Sequence, residues 1–540
     1  MPSYLHPGVY IEEIPSGSKP IEAAGTSTAC FIGYAARGPV NNETVIDSGG
    51  FEPMLITRYD EYDNHFGGIR DTADVEDPQD LDQMGHSVAA FFRNGGVKAY
   101  VIRIAVDSVA STGSLSGHID FGAANGGAWG DALVARFRGK TGVAQTDPDA
   151  DKEFTLEIGT GTGRGFAALE VFTNVSLDAN DPGYIVDKIN DGSQLVRVEV
   201  SDAAAARVVL DELFEGGSPP TTTQYIEVAL SGGDDGDAGG TDDYGAVLSA
   251  LLKYRDVNII CLPGLYYDRS ASVVDQSASD VIDLAIAHCE TMKNRMVIVD
   301  PPPGVEFTTE KQITDRGFPT STYTALYYPW ARVSNPFYDA DTRPGVPSRL
   351  LIQPSGFAAG MWAKIDARRG VWKAPAGVET RLLGTAGFQY SIEDAEQDVL
   401  NPAGVNALRT IPSFGQVIWG TRTLATRADP EWRYVPVRRT AMFIEESIYN
   451  GIQWAVFEPN NHRLWGSLRG NIGSFMNGLF RAGAFQGEKA SDAYFVRCGL
   501  GDTMTQGDID RGQVIVIVGF APLKPAEFVI VRIQQKVSSE

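Results

Sequence analysis

The feature that most restricts the fold of this chain is a pair of apolar, β-branched runs near its C-terminal end. Residues 513–518 (QVIVIV) and 528–533 (FVIVRI) have the composition of β-strands. The linker between them contains Pro522 and Pro525, which supply no backbone N–H to a ladder. The second run has little chain after it to pair with. We expect it to be either the last strand of the chain's own sheet or a strand that pairs with another molecule's sheet edge.

The N-terminus repeats this arrangement. Residues 8–14 (GVYIEEI) form an extended segment, and residues 15–20 (PSGSKP) form a break that contains proline and glycine. Two such arms at opposite ends of one chain predict strand exchange between subunits. The predicted inter-subunit residues are Val9, Tyr10, Ile11 and Glu12 in the N-terminal arm, and Phe528, Val529, Ile530, Val531 and Ile533 in the C-terminal arm.

Length and composition exclude several classes of protein. A chain of 540 residues predicts about three or four domains. The net charge of −24 disfavours general binding to nucleic acid or to anionic membranes, and it leaves room for a basic partner. No apolar run approaches the ~20 residues of a membrane helix, and the N-terminus lacks the regions of a signal peptide. The four cysteines are far apart, which favours buried free thiols.

The order of predicted elements indicates a mixed α/β and α+β multidomain fold. Strand 28–34, helix 86–96 and strand 99–104 begin an α/β core, and a βαβ-like unit follows with helix 279–292. Short strands separated by Gly/Asp-rich turns fill the region between. We predict a core α/β domain assembled from N- and C-terminal parts, with inserted β-rich and βαβ-type domains and extended terminal β arms. The predicted boundaries are 1–20 (N-terminal arm), 21–106 (first part of the core), 107–241 (β-rich outer insertion), 242–350 (inserted α/β domain), 351–520 (C-terminal core) and 521–540 (C-terminal arm).

Two helices of the last third carry the most specific patterns. Residues 441–457 form a predicted helix with Glu445 and Glu446 on its polar side. In the next predicted helix, Gly466, Gly470 and Gly473 fall on one stripe. Each glycine costs a helix about 1 kcal/mol, so the stripe predicts a face where something packs closely, within the subunit or from outside it.

Several fragments resemble catalytic motifs, and each fails on its spacing. A phosphate loop ending at Gly139 requires glycine at position 134, where Val134 stands. Residues 159–165 (GTGTGRG) predict a glycine-rich hairpin, and residues 234–240 (DDGDAGG) an acidic linker that lacks the ligand pattern of a calcium loop. Asp300 ends a predicted strand but has no evident catalytic partner. We therefore expect no catalytic site, no metal and no cofactor.

An ordered set of motifs resembles the tail sheath proteins of contractile phages and of phage-like injection particles. The motifs are residues 7–13 (PGVYIEE), 127–131 (GAWGD), 325–330 (ALYYPW), 368–376 (RRGVWKAPA), 400–406 (LNPAGVN), 417–424 (VIWGTRTL) and 457–460 (FEPN). They span most of the chain, and the match is weakest from about residue 140 to residue 241. The first motif lies in the predicted N-terminal arm.

This resemblance implies a structural subunit and no enzyme. Sheath subunits stack as hexameric rings around an inner tube, and contraction drives the tube through a target envelope without nucleotide hydrolysis. The implied partners are further copies of the chain, the inner tube protein, and baseplate and terminator or cap proteins, with no nucleic acid and no membrane insertion. The implied location is a phage tail or tail-like particle that is assembled in the bacterial cytoplasm and can be released. The candidate tube-facing residues are Glu445, Glu446 and Asn450, which would favour a basic tube surface.

Two other functions remain open at this stage. The βαβ-like unit is compatible with a cytosolic hydrolase or nucleotide-binding enzyme, although none of its loops completes a motif. The β-rich insertion is compatible with a module that binds glycans or a cell surface, and such a role could coexist with a sheath.

Overall fold

The computed structural model describes residues 20–72, 81–139, 154–211, 213, 225–265, 276–425 and 427–527. The chain divides into two compact units. Unit 1 comprises Met1–Thr26, Arg369–Lys373 and Pro436–Glu540, and unit 2 comprises Ser27–Arg368 and Ala374–Val435. The predicted arm residues Val9–Glu12 and Phe528–Ile533 lie outside the described residues.

The strands are numbered in chain order. They are β1 (Ala29–Gly33), β2 (Met54–Ile56), β3 (Ala99–Arg103), β4 (Thr112–Leu115), β5 (Ile119–Ala123), β6 (Leu133–Gly139), β7 (Phe154–Thr160), β8 (Ala167–Val175), β9 (Val196–Val200), β10 (Ile226–Ala229), β11 (Ile259–Cys261), β12 (Met296–Val299), β13 (Thr324–Tyr328), β14 (Ala331–Ser334), β15 (Arg349–Ile352), β16 (Thr385–Phe388), β17 (Val405–Ile411), β18 (Gly415–Ile418), β19 (Tyr494–Arg497) and β20 (Ile517–Phe520).

The α-helices follow the same numbering. They are α1 (Glu43–Asp47), α2 (Tyr59–Phe66), α3 (Gln83–Arg93), α4 (Ile185–Gly192), α5 (Ala203–Asp211), α6 (Thr241–Ala250), α7 (Gln276–Met292), α8 (Glu310–Thr314), α9 (Ser355–Arg369), α10 (Asp394–Leu400), α11 (Val435–Gly451), α12 (His462–Arg481), α13 (Ala490–Ala493) and α14 (Gln506–Asp510).

An eight-stranded sheet forms the centre of unit 2, in the order β18-β17-β13-β12-β11-β1-β3-β2. The six inner strands are parallel, whereas β2 and β18 are antiparallel edges. The central strands are apolar and buried along their length, as parallel strands covered on both faces are. The predicted separation of 21–106 from 242–350 is therefore wrong, because β1 and β3 share a sheet with β11, β12 and β13.

Helix α9 packs against α3 at unusually short range. A Cβ atom on Gly356 would lie 2.4 Å from the carbonyl oxygen of Ser87, and one on Gly360 would lie 2.5 Å from that of Phe91. Phe91 in turn packs edge-on against Phe31 of β1, with ring centroids 5.5 Å apart. The two glycines thus let α9 approach the helix that covers the sheet.

The β-rich region has two sheets of its own, in the orders β4-β5-β9 and β10-β6-β7-β8. Their inward side chains form one apolar cluster that runs from Leu115 to Leu230 and includes Phe121, Phe137 and Phe154. Buried residues alternate with half-buried ones along most of β7 and with exposed ones in β9, which is typical of sheets with one covered face.

Unit 1 is built mainly from α11, α12, β19 and β20. Its apolar clusters include Phe443, Ile472 and Met476 in one group and Leu464 and Leu468 in another. The predicted C-terminal core of 351–520 is therefore divided between the two units. Residues 374–435 belong to unit 2, because β17 and β18 pair with its sheet.

Candidate assembly interface

The two-stranded sheet of unit 1 is short and partly uncovered. β19 and β20 are antiparallel, with Tyr494 opposite Phe520 and Arg497 opposite Ile517. Phe495 is 49% exposed and Ile517 is 43% exposed. No third strand joins this sheet within the described part of the chain. An isolated pair of strands is marginally stable, so its edges are available for further strands.

The strand predicted at 513–518 begins later than expected. β20 starts at Ile517, because the preceding carbonyls are already bonded to other groups of unit 1. Asn460 Nδ2 donates to the carbonyl of Gln513 at 3.0 Å, and Thr503 Oγ1 donates to that of Ile515 at 2.7 Å. The β-branched composition predicted an extended chain here but could not predict these side-chain partners.

The predicted tube-facing helix begins and ends six residues earlier than expected, and it exposes only part of the predicted set. α11 ends at Gly451, and a single 3-10 turn follows at Gln453–Ala455. Glu445 and Asn450 are exposed. Glu446 is only 7% exposed, because adjacent helical positions point about 100° apart and cannot share the centre of one face. The available surface of α11 therefore includes Glu445 and Asn450 but not Glu446.

An aromatic side chain stands alone on the loop between α11 and α12. Phe457 is fully exposed, at 101%, and its φ angle is +69°. A bulky residue in the left-handed region costs about 1–2 kcal/mol. The neighbouring Val456 is 58% exposed. The tip of the loop is thus apolar and has no partner among the described residues. Its backbone is strained at Phe457.

A groove of about 1250 Å³ runs along one face of α12. Its lining residues are Pro20, Ile21, Ala23, Trp454, Glu458, Pro459, Asn461, Arg463, Leu464, Ser467, Gly470, Asn471, Ser474, Phe475, Gly478 and Leu479. Cβ atoms added at Gly466, Gly470 or Gly473 would meet no described atom within 4 Å. The expectation of close packing over the glycine stripe is therefore not met inside the described subunit, and the face is open.

The other fragments that resembled catalytic motifs have structural roles. Residues 159–165 form the turn between β7 and β8, which confirms the predicted hairpin. Residues 234–240 are more ordered than a solvated linker, because Asp234 N donates to the carbonyl of Val109 and Asp237 N to that of Val106, both at 2.9 Å. Asp235 accepts from Ala128 N at 2.8 Å.

Asp300 is a buried acceptor at the start of a helix. Its Oδ1 accepts from the backbone N–H of Ser355, the first residue of α9, at 2.8 Å. Burial raises the pKa of this carboxyl group to about 7, and the hydrogen bonds from Ser355 oppose the shift. The position satisfies an otherwise unpaired helical N–H, which is a structural role.

One buried cation was not predicted from the sequence. Arg103 ends β3 and is fully buried, and its guanidinium donates to the carbonyls of Ala35, Gly38 and Gly126 at 2.5–2.8 Å. Burial lowers its pKa to about 10. Arg103 therefore connects the loops beside β1 to the base of the β-rich region. In the sequence, only its position at the end of a buried strand could have indicated this role.

The described residues contain neither a membrane-spanning helix nor a cluster of metal ligands. Among them, no helix combines the length and apolar character needed to cross a bilayer. The same residues hold no group of three or more His, Cys, Asp or Glu side chains arranged for a metal ion. All four cysteines are buried free thiols.

Comparison with known proteins identifies two family domains between residues 237 and 536. Residues 237–424 match the phage tail sheath protein central domain, and residues 427–536 match the phage tail sheath C-terminal domain. The chain is 24% identical over 506 residues to the tail sheath protein of Burkholderia phage BcepMu, covering 90% of this chain and 89% of the relative.

Solved structures share the fold at low sequence identity. The contracted helical sheath of the anti-feeding prophage is 21% identical, with a TM-score of 0.55 and coverage of 99% of this chain and 100% of that one. The sheath tail protein of Desulfitobacterium hafniense is 12% identical, with a TM-score of 0.57 and coverage of 96% and 100%. The two sheath domains together span more than half of the residues, and five of the seven motifs lie within them in order, so the chain belongs to the phage tail sheath protein family.

Proposed function

We propose that this protein is the structural subunit of a contractile sheath. It polymerises as stacked hexameric rings around an inner tube and contracts to drive that tube through a target envelope. The observation that carries the proposal is the two-stranded sheet of unit 1, which no third strand joins among the described residues, within a region that matches the sheath C-terminal domain. A sheet of two strands whose edges lack a further strand there suits linkage by strands from neighbouring copies.

The proposed linking strands are the two terminal arms. Val9–Glu12 and Phe528–Ile533 have strand composition and stand on proline-containing tethers. A strand added to β19 or β20 gains main-chain hydrogen bonds regardless of most side chains. Subunits joined in this way can rotate relative to one another during contraction while remaining connected.

The loop tip and the exposed face of α11 are the proposed contact surfaces for other partners. Phe457 is a fully exposed aromatic side chain, which is the type enriched among interface anchors. Glu445 and Asn450 offer a polar, acidic face to a basic tube surface. The baseplate and the terminator or cap proteins are the further proposed partners. A solved anti-feeding prophage baseplate contains a chain of the same fold, with a TM-score of 0.53.

The energy for contraction is proposed to come from a difference in contacts between two assembled states. Apolar burial contributes about 25 cal/mol per Å², so about 200 Å² more per subunit gives roughly 5 kcal/mol before opposing terms. Summed along a sheath, this requires no nucleotide. The family is one of structural proteins, and the described fragments at 159–165 and 234–240 have structural roles.

Electron microscopy of the purified protein tests the proposal. Negative staining is expected to show long striated tubes, in buffer treated with apyrase to remove nucleotides as well as in untreated buffer. Discrete small oligomers at all concentrations would contradict the sheath function. Tubes that form only with added nucleotide would contradict the proposed energy source alone.

A further inference from the structure

Two N–H donors on the wall of the α12 groove have no acceptor among the described residues. Asn471 is 7% exposed and its Nδ2 is unpartnered, and the buried Nε1 of Trp454 is unpartnered as well. Both residues line the groove. A buried donor without an acceptor costs about 1–3 kcal/mol. The groove therefore favours an occupant that supplies oxygen acceptors.

The shape of the groove suits an extended backbone. Four small residues follow one another at helical spacing along it, and they are Ser467, Gly470, Ser474 and Gly478. Apolar side chains stand beside them, and they are Leu464, Phe475 and Leu479. Because glycine has no Cβ, a peptide backbone can approach α12 closely enough for its carbonyls to meet the unpartnered donors.

The first described residues lead directly into this groove. Thr26 accepts from Arg439 at 2.9 Å, and Ala24 N donates to Ser447 Oγ at 2.9 Å. Ile21 packs on Gly451, at the end of the same helix. Residues 26 to 20 thus follow α11 towards its C-terminal end, and Pro20 and Ile21 lie in the groove lining.

The chain before Pro20 is long enough to fill the groove. The lining residues of α12 extend from Arg463 to Leu479, which corresponds to ~24 Å of helix. About seven extended residues span that distance. Nineteen residues precede Pro20, and they include the apolar Val9, Ile11 and Ile14.

We propose that, in the unassembled subunit, the α12 groove holds the chain's own N-terminal segment, residues 1–19. The segment lies extended over the small residues of α12, and its carbonyls accept from Asn471 and Trp454. Attachment at Pro20 gives the segment a high effective concentration at the groove. While it lies in the groove, the N-terminal arm cannot pair with other copies, and assembly later releases it. Only this last step rests on the proposed sheath function.

Hydrogen exchange of the full-length chain tests this inference, read by mass spectrometry on peptides from residues 1–19. The monomer is isolated by size-exclusion chromatography below the concentration at which polymers form. We expect the wild-type segment to exchange at least about tenfold more slowly than the same peptide free in solution. Gly470→Leu fills the groove and is expected to abolish this protection. Gly473→Leu is the matched control, because it adds the same side chain to open space outside the groove lining.

The outcomes test the proposed N-terminal latch, meaning residues 1–19 held in the α12 groove, separately from the sheath function. Free exchange in the wild-type monomer, or equal protection in the two leucine variants, would overturn the latch. Asn471→Leu provides a second variant, which removes the donor while keeping the side-chain size and is expected to speed exchange. A monomer that exchanges freely but still forms striated tubes overturns only the latch. A protected monomer that never forms tubes overturns only the proposed function.

Discussion

A Cβ atom at Gly451 would lie 2.6 Å from Cγ1 of Ile21, so the end of α11 and the first described residues of the chain meet without free space. The Cβ of Ile21 would itself be 3.0 Å away. Because isoleucine is stiff at χ1, the contact cannot be relieved by a simple rotation.

Gly451→Ala is therefore expected to destabilise unit 1 by about 1–3 kcal/mol. Urea unfolding of the monomer, followed by circular dichroism, measures the change. Gly466→Ala is the control in α12, where no described atom lies within 4 Å of the added Cβ. That variant is expected to gain about 0.5–1 kcal/mol. Equal unfolding free energies for the two variants would contradict the tight contact.

Removal of residues 528–540 is expected to leave a folded subunit that cannot polymerise. The deleted residues hold the proposed C-terminal arm, whereas β19, β20 and the apolar clusters of unit 1 remain. Circular dichroism measures folding and negative-stain microscopy measures assembly. A shorter deletion of residues 538–540 serves as the control and should assemble normally. Normal tubes from the longer deletion would show that the C-terminal arm is dispensable.

Phe457→Gly is expected to stabilise the subunit while weakening assembly. Glycine relieves the left-handed backbone, which we expect to raise the free energy of unfolding by about 1 kcal/mol. The exposed ring has no packing to lose within the subunit. The two effects are read from urea unfolding and from the protein concentration needed for tubes. Val208→Ala, at a position that is 71% exposed in unit 2, should leave the protein concentration needed for tubes unchanged.

Glu445→Lys is expected to weaken binding of the tube protein by about fivefold, or roughly 1 kcal/mol. The substitution reverses an exposed charge on α11 without disturbing the buried Glu446. Pull-down of the coexpressed tube protein measures the effect, which should shrink in high salt. Glu488→Lys makes the same charge change at another exposed position of unit 1. Equal loss in both variants would indicate a general charge effect rather than a contact at α11.

Asp300 is expected to make the stability of unit 2 fall as the pH rises towards neutrality. Its pKa is raised from the ordinary 3.8 to about 7 by burial. A raised carboxyl pKa favours the folded state while the group is protonated, and this contribution is lost as the pH rises through the folded value. Asp300→Asn keeps an acceptor for Ser355 and is expected to flatten the profile between about pH 4 and 7, the interval between the ordinary and the raised pKa. Parallel stability profiles for both proteins would show that Asp300 is not the group responsible.

The elements that the sequence predicted well are those fixed by local pattern. The strand predicted at 28–34 is β1, and the helix predicted at 279–292 lies within α7, because continuous apolar runs and helical periodicity require no partner to be recognised. The shared sheet was missed, since pairing of β1 with β11 joins residues about 230 positions apart and leaves no local trace. The glycine stripe of α12 indicated a helix face suited to close packing. It did not indicate that no described residue covers that face.

The composition of unit 1 has a consequence for how the protein is made. It combines residues near the start of the chain with everything after Pro436. A ribosome releases those last residues only when translation is nearly complete, so the surfaces on which polymerisation depends do not exist on the nascent chain. If these surfaces form the proposed interface, we expect polysome-bound chains not to polymerise and assembly to begin only after finished molecules are released.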